Sequence, residues 1–214
     1  MPRKNNSKQT IENVVAVSAK LFVEKGYNQT SMQDIVDALG MSKGAIFHHF
    51  KSKEDILNAV VARHSEESAE MAQQWIDEME GMLAGDKITA LFEKIMADPH
   101  MNLLNKVLAT QAANPHMIVA GMQESVNVIA PELASLFREG MEDGSITVQH
   151  PDECAQVFML LISIWCDEAL FPCDIHALQK RLVFMQQVMK QMGADIISDD
   201  LITICIKQAE EENC

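Results

Sequence analysis

The chain has 214 residues, 48% hydrophobic and 22% charged, which is room for one large domain or two modest ones of ordinary globular composition. That excludes a disordered tail, collagen and a disulfide-knotted peptide. The formal charge of −14 is unevenly spread: the stretch through Lys53 carries eight Lys/Arg and four acids, a net +4, and the remainder carries −18. A basic head on an acidic body turns one end toward a polyanion and keeps the other away from it. No apolar run reaches the ~18 residues of a membrane helix, and the polar N-terminus has no secretory pattern. The five cysteines are an odd number in a chain large enough to build its own core, so a reduced, cytoplasmic protein is expected.

Helical periodicity dominates from the start. Ile11, Val14, Val15, Ser18, Leu21 and Phe22 recur at three and four residues and mark one buried face, which Gly26 ends. Thr30 and Ser31 can cap a second helix, with Asp34 in its first turn, Ile35, Val36 and Leu39 on its apolar face, and Gly40 as its stop. Ser42 caps a short third helix over 43–49, with Ile46, Phe47 and Phe50 available for packing. Ser52 caps a fourth, with Glu54 and Asp55 in its first turn, free of Pro and Gly until Gly81 and so able to run from 53 to about 82.

The body continues in the same style. Asp86 is expected to cap a helix over 87–97, which Asp98-Pro99 breaks; another follows over 100–112. Asn114-Pro115 opens a longer helix that Pro131 kinks or restarts and that ends near Gly144. Pro151 starts a helix over 152–170, closed by Phe171-Pro172. Helices over 174–192, ended by Gly193, and from Ser198-Asp199 to about 212 complete an all-α chain of about nine or ten helices, with no convincing strand.

The stretch 30–53 reads TSMQDIVDALGMSKGAIFHHFKSK: two short capped helices joined by Leu39-Gly40-Met41-Ser42, with Lys43, His48, Lys51 and Lys53 as basic or titratable side chains. This is helix-turn-helix chemistry, in which the second helix enters the major groove. An ordinary helical hairpin would share the turn but has no need of the basic cluster.

The resemblance goes further. Leu21-Phe22, Gly26-Tyr27, Thr30 through Ile35, Leu39-Gly40, Met41 through Gly44, and Phe47 through Glu54 together resemble the TetR family of transcriptional regulators, over about 7–64. The resemblance implies a three-helix DNA-binding domain over 7–53, with the motif region reaching about 67. A helical ligand-binding and dimerisation domain over 54–214 would follow. It implies a homodimer on a near-palindromic double-stranded DNA operator, most often a repressor, released by a small, largely apolar inducer. The DNA-facing residues carried over are Thr30, Ser31, Ser42, Lys43, Gly44, Ala45, Phe47, His48, Lys51 and Lys53, with the Thr30 hydroxyl meeting a phosphate. Phe47 stands where the family often has tyrosine; it keeps the packing and loses a phosphate bond worth roughly 1 kcal/mol.

For the inducer pocket the expected lining is Trp75, Phe92, Met96, Leu104, Met122, Phe158 and Trp165, in a body rich in methionine, which adapts to varied apolar shapes. Asp167 and Glu168 beside Trp165 would suit a cationic ligand, or mark a helix end reaching solvent. For the dimer interface the expectation is Phe158, Leu161, Ile162, Leu178, Leu182, Met185 and Met189, which recur at helical spacing along two long apolar helices. Cys166, Cys173 and His176 offer a metal- or thiol-redox-responsive alternative, although their spacing matches no zinc pattern. A DNA-binding regulator with no small-molecule ligand is the other alternative. No metal or cofactor is expected, and no enzyme either. The chain has no nucleophile elbow and no phosphate-cradling Gly-rich loop, and no paired His ligands share one helix face.

Overall fold

The computed structural model describes residues 3–99, 101 and 115–212, which are helices and connecting turns with no strand among them. Those residues divide into two compact units, one of 3–71 with 101 and the other of 72–99 with 115–212. The boundary falls inside a helix rather than at its start. The helix expected over 100–112 lies, apart from Met101, outside the described residues.

In the first unit α1 (Arg3–Lys25), α2 (Met32–Leu39), α3 (Lys43–His49) and the first part of α4 (Lys53–Glu78) enclose a small core. Val14, Val15, Phe22, Ile35, Val36, Ile46, Phe50, Ile56, Leu57 and Val60 are buried in it, while Ile11 lies outside at 38% exposure. Each short helix owes its ends to nearby sequence. Gly26 and Gly40 adopt positive φ (+86° and +61°), the left-handed conformation that closes a helix without a Cβ clash. Ser31 and Asp34 form a reciprocal capping box at α2, and the Ser42 hydroxyl accepts the Ala45 N–H at α3. Such a cap contributes about 1 kcal/mol, which matters in helices of seven or eight residues that are marginal alone.

The second unit holds α5 (Ala84–Ala97), α6 (Pro115–Glu124), α7 (Ala130–Asp143), α8 (Pro151–Leu160), α9 (Ile175–Met192) and α10 (Asp199–Glu212). Its core joins Ile88, Phe137, Phe158, Met185, Met189 and Ile196, all fully or almost fully buried. Asp86 does not cap α5, which begins at Ala84; the cap comes from distant chain. The Ala84 N–H donates to the Asp143 carboxylate (2.7 Å) and the Gly85 N–H to the Ser145 hydroxyl (2.9 Å). Buried Lys87 fixes α5 further, its ammonium 2.6 Å from Glu139 on α7.

Pro131 falls in the first turn of α7, which follows directly on the preceding turn. The turn before it, Ser125–Ile129, widens to π pitch, and α7 continues to Asp143. A wider turn gives a proline ring room beside the preceding carbonyls. A second π turn, Leu161–Trp165, extends α8, and the two turns meet where the Ser125 hydroxyl donates to Ser163 (3.3 Å). The α8 helix stops earlier than its apolar pattern suggests, because the Asp167 carboxylate accepts the Ala169 and Leu170 N–H groups and folds the chain into a turn.

Candidate nucleic-acid interface

The first unit presents α3 with a divided surface. Ile46 and Phe50 point inward and are buried. Lys43, Gly44, Phe47 and His48 share the opposite face at helical spacing, and Lys43, Gly44 and His48 are exposed. A Cβ added to Gly44 would meet nothing within 4 Å, so the fold does not require glycine there. The Lys43 ammonium stands 5.6 Å from the Phe47 ring centroid, and Ser42 is exposed at the entrance to the helix. Lys51 is exposed just beyond α3, its ammonium bound to the Phe47 carbonyl (2.8 Å).

The acids of α1 and α2 are held in place by local bonds. Asp34 sits 2.7 Å from the Lys25 ammonium and within the Ser31 cap; the lysine, then the serine, hold its carboxyl far below the usual carboxylate range. Asp37 accepts from Gln33 (2.8 Å), and Glu12 and Glu24 pair with Lys8 and Lys20 one turn away.

Three of the expected DNA-facing residues have other employment. Thr30 is 1% exposed, and its hydroxyl donates to the Gly26 carbonyl (2.8 Å). That hydroxyl is turned inward and shielded from solvent. The Ser31 hydroxyl is spent on Asp34, donating to its carboxylate (2.5 Å) and accepting its N–H (3.1 Å). The Lys53 ammonium turns back into the fold, 2.7 Å from both the Tyr27 and Thr30 carbonyls and 4.2 Å from the Tyr27 ring centroid. Partial burial pulls the Lys53 pKa down, against the opposing pull of Asp34. Ser42, Lys43, Gly44, Ala45, Phe47, His48 and Lys51 remain together along α3 and its exit. Tyr27, the sole tyrosine of the chain, entered the sequence reading only as part of the resemblance; its place directly after Gly26 was the available signal.

Residues 14–60 match the family model described as "Bacterial regulatory proteins, tetR family". Over those residues the chain carries the DNA-binding segment of the TetR family of transcriptional regulators. Along its length it is similar to the "Uncharacterized HTH-type transcriptional regulator YvkB" of Bacillus subtilis, with 25% identity over 156 residues, 72% of this chain and 79% of that one. Three further curated relatives are 40, 31 and 46% identical over the matched stretch, but those stretches span only 29, 38 and 16% of their own length. The TetR-family fold extends beyond the head. A putative TetR-family regulator from Mesorhizobium loti superposes with a TM-score of 0.62 at 19% identity, covering 96% of this chain and 95% of that one. A gamma-butyrolactone receptor superposes at 0.53 with 18% identity, over 96% and 99%.

In the second unit, an apolar pocket of about 30 Å³ lies among α5, α8, α9 and α10. Phe92, Met96 and Phe158 line it, as expected from sequence, with Ile162, Leu182 and Cys205 among the other walls. Trp75, Met122 and Trp165 do not line this pocket, and Leu104 lies outside the described residues. Trp75 faces the Lys94 ammonium at 5.6 Å, and Met122 is 37% exposed. Trp165 already has a cation of its own: the Arg181 guanidinium carbon is 5.8 Å from its ring centroid, and that guanidinium donates to the Trp165 and Phe171 carbonyls (2.9 Å each). Asp167 is therefore a turn-former rather than half of a cation site.

The expected interface residues need a similar correction. Phe158, Leu178, Leu182, Met185 and Met189 are 0–5% exposed within their own chain, and Leu161 and Ile162 pack against the same core. A partner does not reach a side chain its own chain has covered. The apolar side chains of this region left exposed are others: Val157 (43%), Phe171 (47%), Phe184 (54%) and Met192 (38%).

The geometry bears on the metal part of the cysteine alternative and on its Cys166 thiol. Among the described residues no three His, Cys, Asp or Glu side chains come together in a way that could hold a metal ion. Burial pushes the Cys166 and Cys205 thiols up to about 11, so both stay protonated and unreactive near neutral pH. The Cys166 sulfur rests 3.3 Å from the Met185 sulfur, inside the core. Among the described residues no helix is long and apolar enough to cross a membrane.

Proposed function

We propose that this regulator is a repressor that binds a near-palindromic operator as a homodimer and leaves it when a small, largely apolar molecule binds the second unit. The observation that carries the DNA-binding part is the face of α3, where Lys43, His48 and the neighbouring Lys51 surround a glycine the fold does not need. Lys43 has the reach for a guanine edge, Ala45 and Phe47 supply apolar contact, and Lys51 supplies charge to a phosphate. Base readout from so few side chains gives each head limited reach, which favours two heads on a symmetric site. The outer faces of α8 and α9, with Val157 and Phe184 exposed, are the proposed place for the twofold mate.

The inducer reading rests on the wholly apolar pocket around Phe92, Met96 and Phe158. At about 30 Å³ it is far below the several hundred Å³ of a typical ligand site. An inducer must therefore open it, and would bind the opened conformation in preference to the one fit for DNA. The same small volume favours the second reading, a regulator without a small-molecule ligand.

Selection of bound fragments from random DNA, followed by salt titration of the winner, tests both layers. A near-palindrome with a steep salt slope supports a dimeric operator-binding protein, and Lys51→Ala should lower that slope by about one unit per head. No enriched site and no slope would sink the DNA reading. Release of the selected duplex by apolar compounds, or resistance to all of them, separates the ligand-responsive reading from its rival.

A further inference from the structure

We propose that Lys53 is a positioning residue that mounts the helix-turn-helix on α4, and that it makes no phosphate contact. The inference rests on the DNA-binding reading above. Its ammonium holds two carbonyl oxygens at 2.7 Å and lies against the Tyr27 ring. Two of its three N–H bonds are thus committed, and the aromatic face shields one flank. A cation that served a phosphate would have to break two short charge-assisted bonds or share its charge with them.

The identity of the two carbonyls gives the arrangement its purpose. Tyr27 and Thr30 belong to the turn between α1 and α2, just after the left-handed Gly26 and just before the Ser31 cap. Lys53 is the first residue of α4. It therefore pins the start of α2 to the start of α4 across 23 to 26 residues of sequence. Two residues on, the Asp55 carboxylate accepts the Lys51 N–H (2.8 Å) and the Ser52 N–H (3.1 Å), which ties the exit of α3 to the same turn. The first turn of α4 thus grips the helix-turn-helix at both ends, by a lysine on one side and an aspartate on the other. A displacement of that turn would carry α2 and α3 with it as one body. Lys51 differs: the residue is exposed just beyond α3, and its ammonium holds one carbonyl, that of Phe47, rather than two.

The test compares salt slopes on the selected duplex for wild type, Lys51→Ala, Lys53→Met and Lys53→Arg. Lys53→Met should weaken binding about tenfold at every salt concentration while the slope stays that of the wild type. Lys53→Arg should restore most of the affinity, because a guanidinium has N–H groups for both carbonyls and a flat face for the ring. A slope reduced by about 0.9 per head in Lys53→Met would overturn the proposal, since that is the signature of a lost phosphate contact. A second readout needs no DNA. In the wild-type protein the Lys53 ε-methylene protons should resonate upfield, under the ring current of Tyr27, and return to the free-lysine position in Tyr27→Leu. An unshifted wild-type signal would overturn the proposal even if Lys53→Met fails to fold. A shifted signal in a protein that binds no duplex would support the mount and reject the DNA reading instead.

Discussion

A Cβ built on Gly193 would lie 2.6 Å from the Thr147 hydroxyl oxygen and 2.7 Å from the Thr147 carbonyl carbon. The glycine ends α9 at φ +95°, and its carbonyl accepts the Thr147 N–H at 2.8 Å. Backbone meets backbone here, so neither side can yield cheaply. Gly193→Ala should therefore cost on the order of 1–3 kcal/mol for the left-handed conformation, with the steric overlap added. Gly144→Ala is the control, because that glycine has φ +83° and open space around it. Urea unfolding of the two variants should show the larger loss at 193; equal losses would mean the Thr147 contact is soft.

Ser18 is fully buried in the first unit, and its hydroxyl has no hydrogen-bond partner among the described residues. A buried polar atom left unpaired carries its desolvation cost into the folded state. Ser18→Ala should leave the protein as stable as before or stabilise it by up to about 1 kcal/mol. Thermal melting decides the matter, and a clear loss of stability would reveal a partner for the hydroxyl in solution.

Dimerisation can be separated from folding by neighbouring residues on α9. Phe184 is 54% exposed, whereas Met185 is wholly buried. Phe184→Glu should give folded monomers in sedimentation. Met185→Glu should instead disrupt the fold, since a carboxylate in that core has no partner. Dimers that survive Phe184→Glu would move the interface off this face of α9.

Acid should weaken the protein by a defined route. The Ser145 hydroxyl and then the Ala84 N–H hold the Asp143 carboxyl below its ordinary value, and the Lys51 N–H and then the Ser52 hydroxyl do the same for Asp55. A carboxyl depressed by folding stabilises the fold above its unfolded value of about 3.9 and loses that contribution as pH falls through the folded value. Melting temperature should hold between neutral pH and about 5 and fall below about 4. The fall should be shallower in Asp143→Asn, measured against its own neutral baseline. An unchanged acid limb would place the titrating groups elsewhere.

The features legible in the sequence were those whose causes lie within a few residues. Ser31 with Asp34, Ser42 and Gly40 each end or begin a helix by bonding to backbone three residues away, so reading the chain locally recovers them. The residue types of α3 and their helical spacing likewise gave its outer face. The start of α5 was misplaced because its cap is brought in by the fold. The bonds that occupy Thr30 and Lys53 were out of reach for the same reason, since one is buried and the other bound to carbonyls 23 and 26 residues earlier. Periodicity marked Leu182 and Met185 as apolar, but a period of 3.6 is the same whether a face packs on its own chain or on a copy. The shortened α8 followed from a turn at Asp167 that competes locally with helix.

The distant cap of α5 also bears on how the chain is made. During synthesis the residues of α5 leave the ribosome long before Asp143, which follows Ala84 by 59 positions. Until then the first N–H groups of α5 have only water or transient partners. A nascent chain stalled short of Asp143 would hold an incomplete, fraying α5, and a protease would find it there first. The carboxylate that seals the helix thus also dates its completion, making the second unit a late product of translation while the head, capped from within, is ready early.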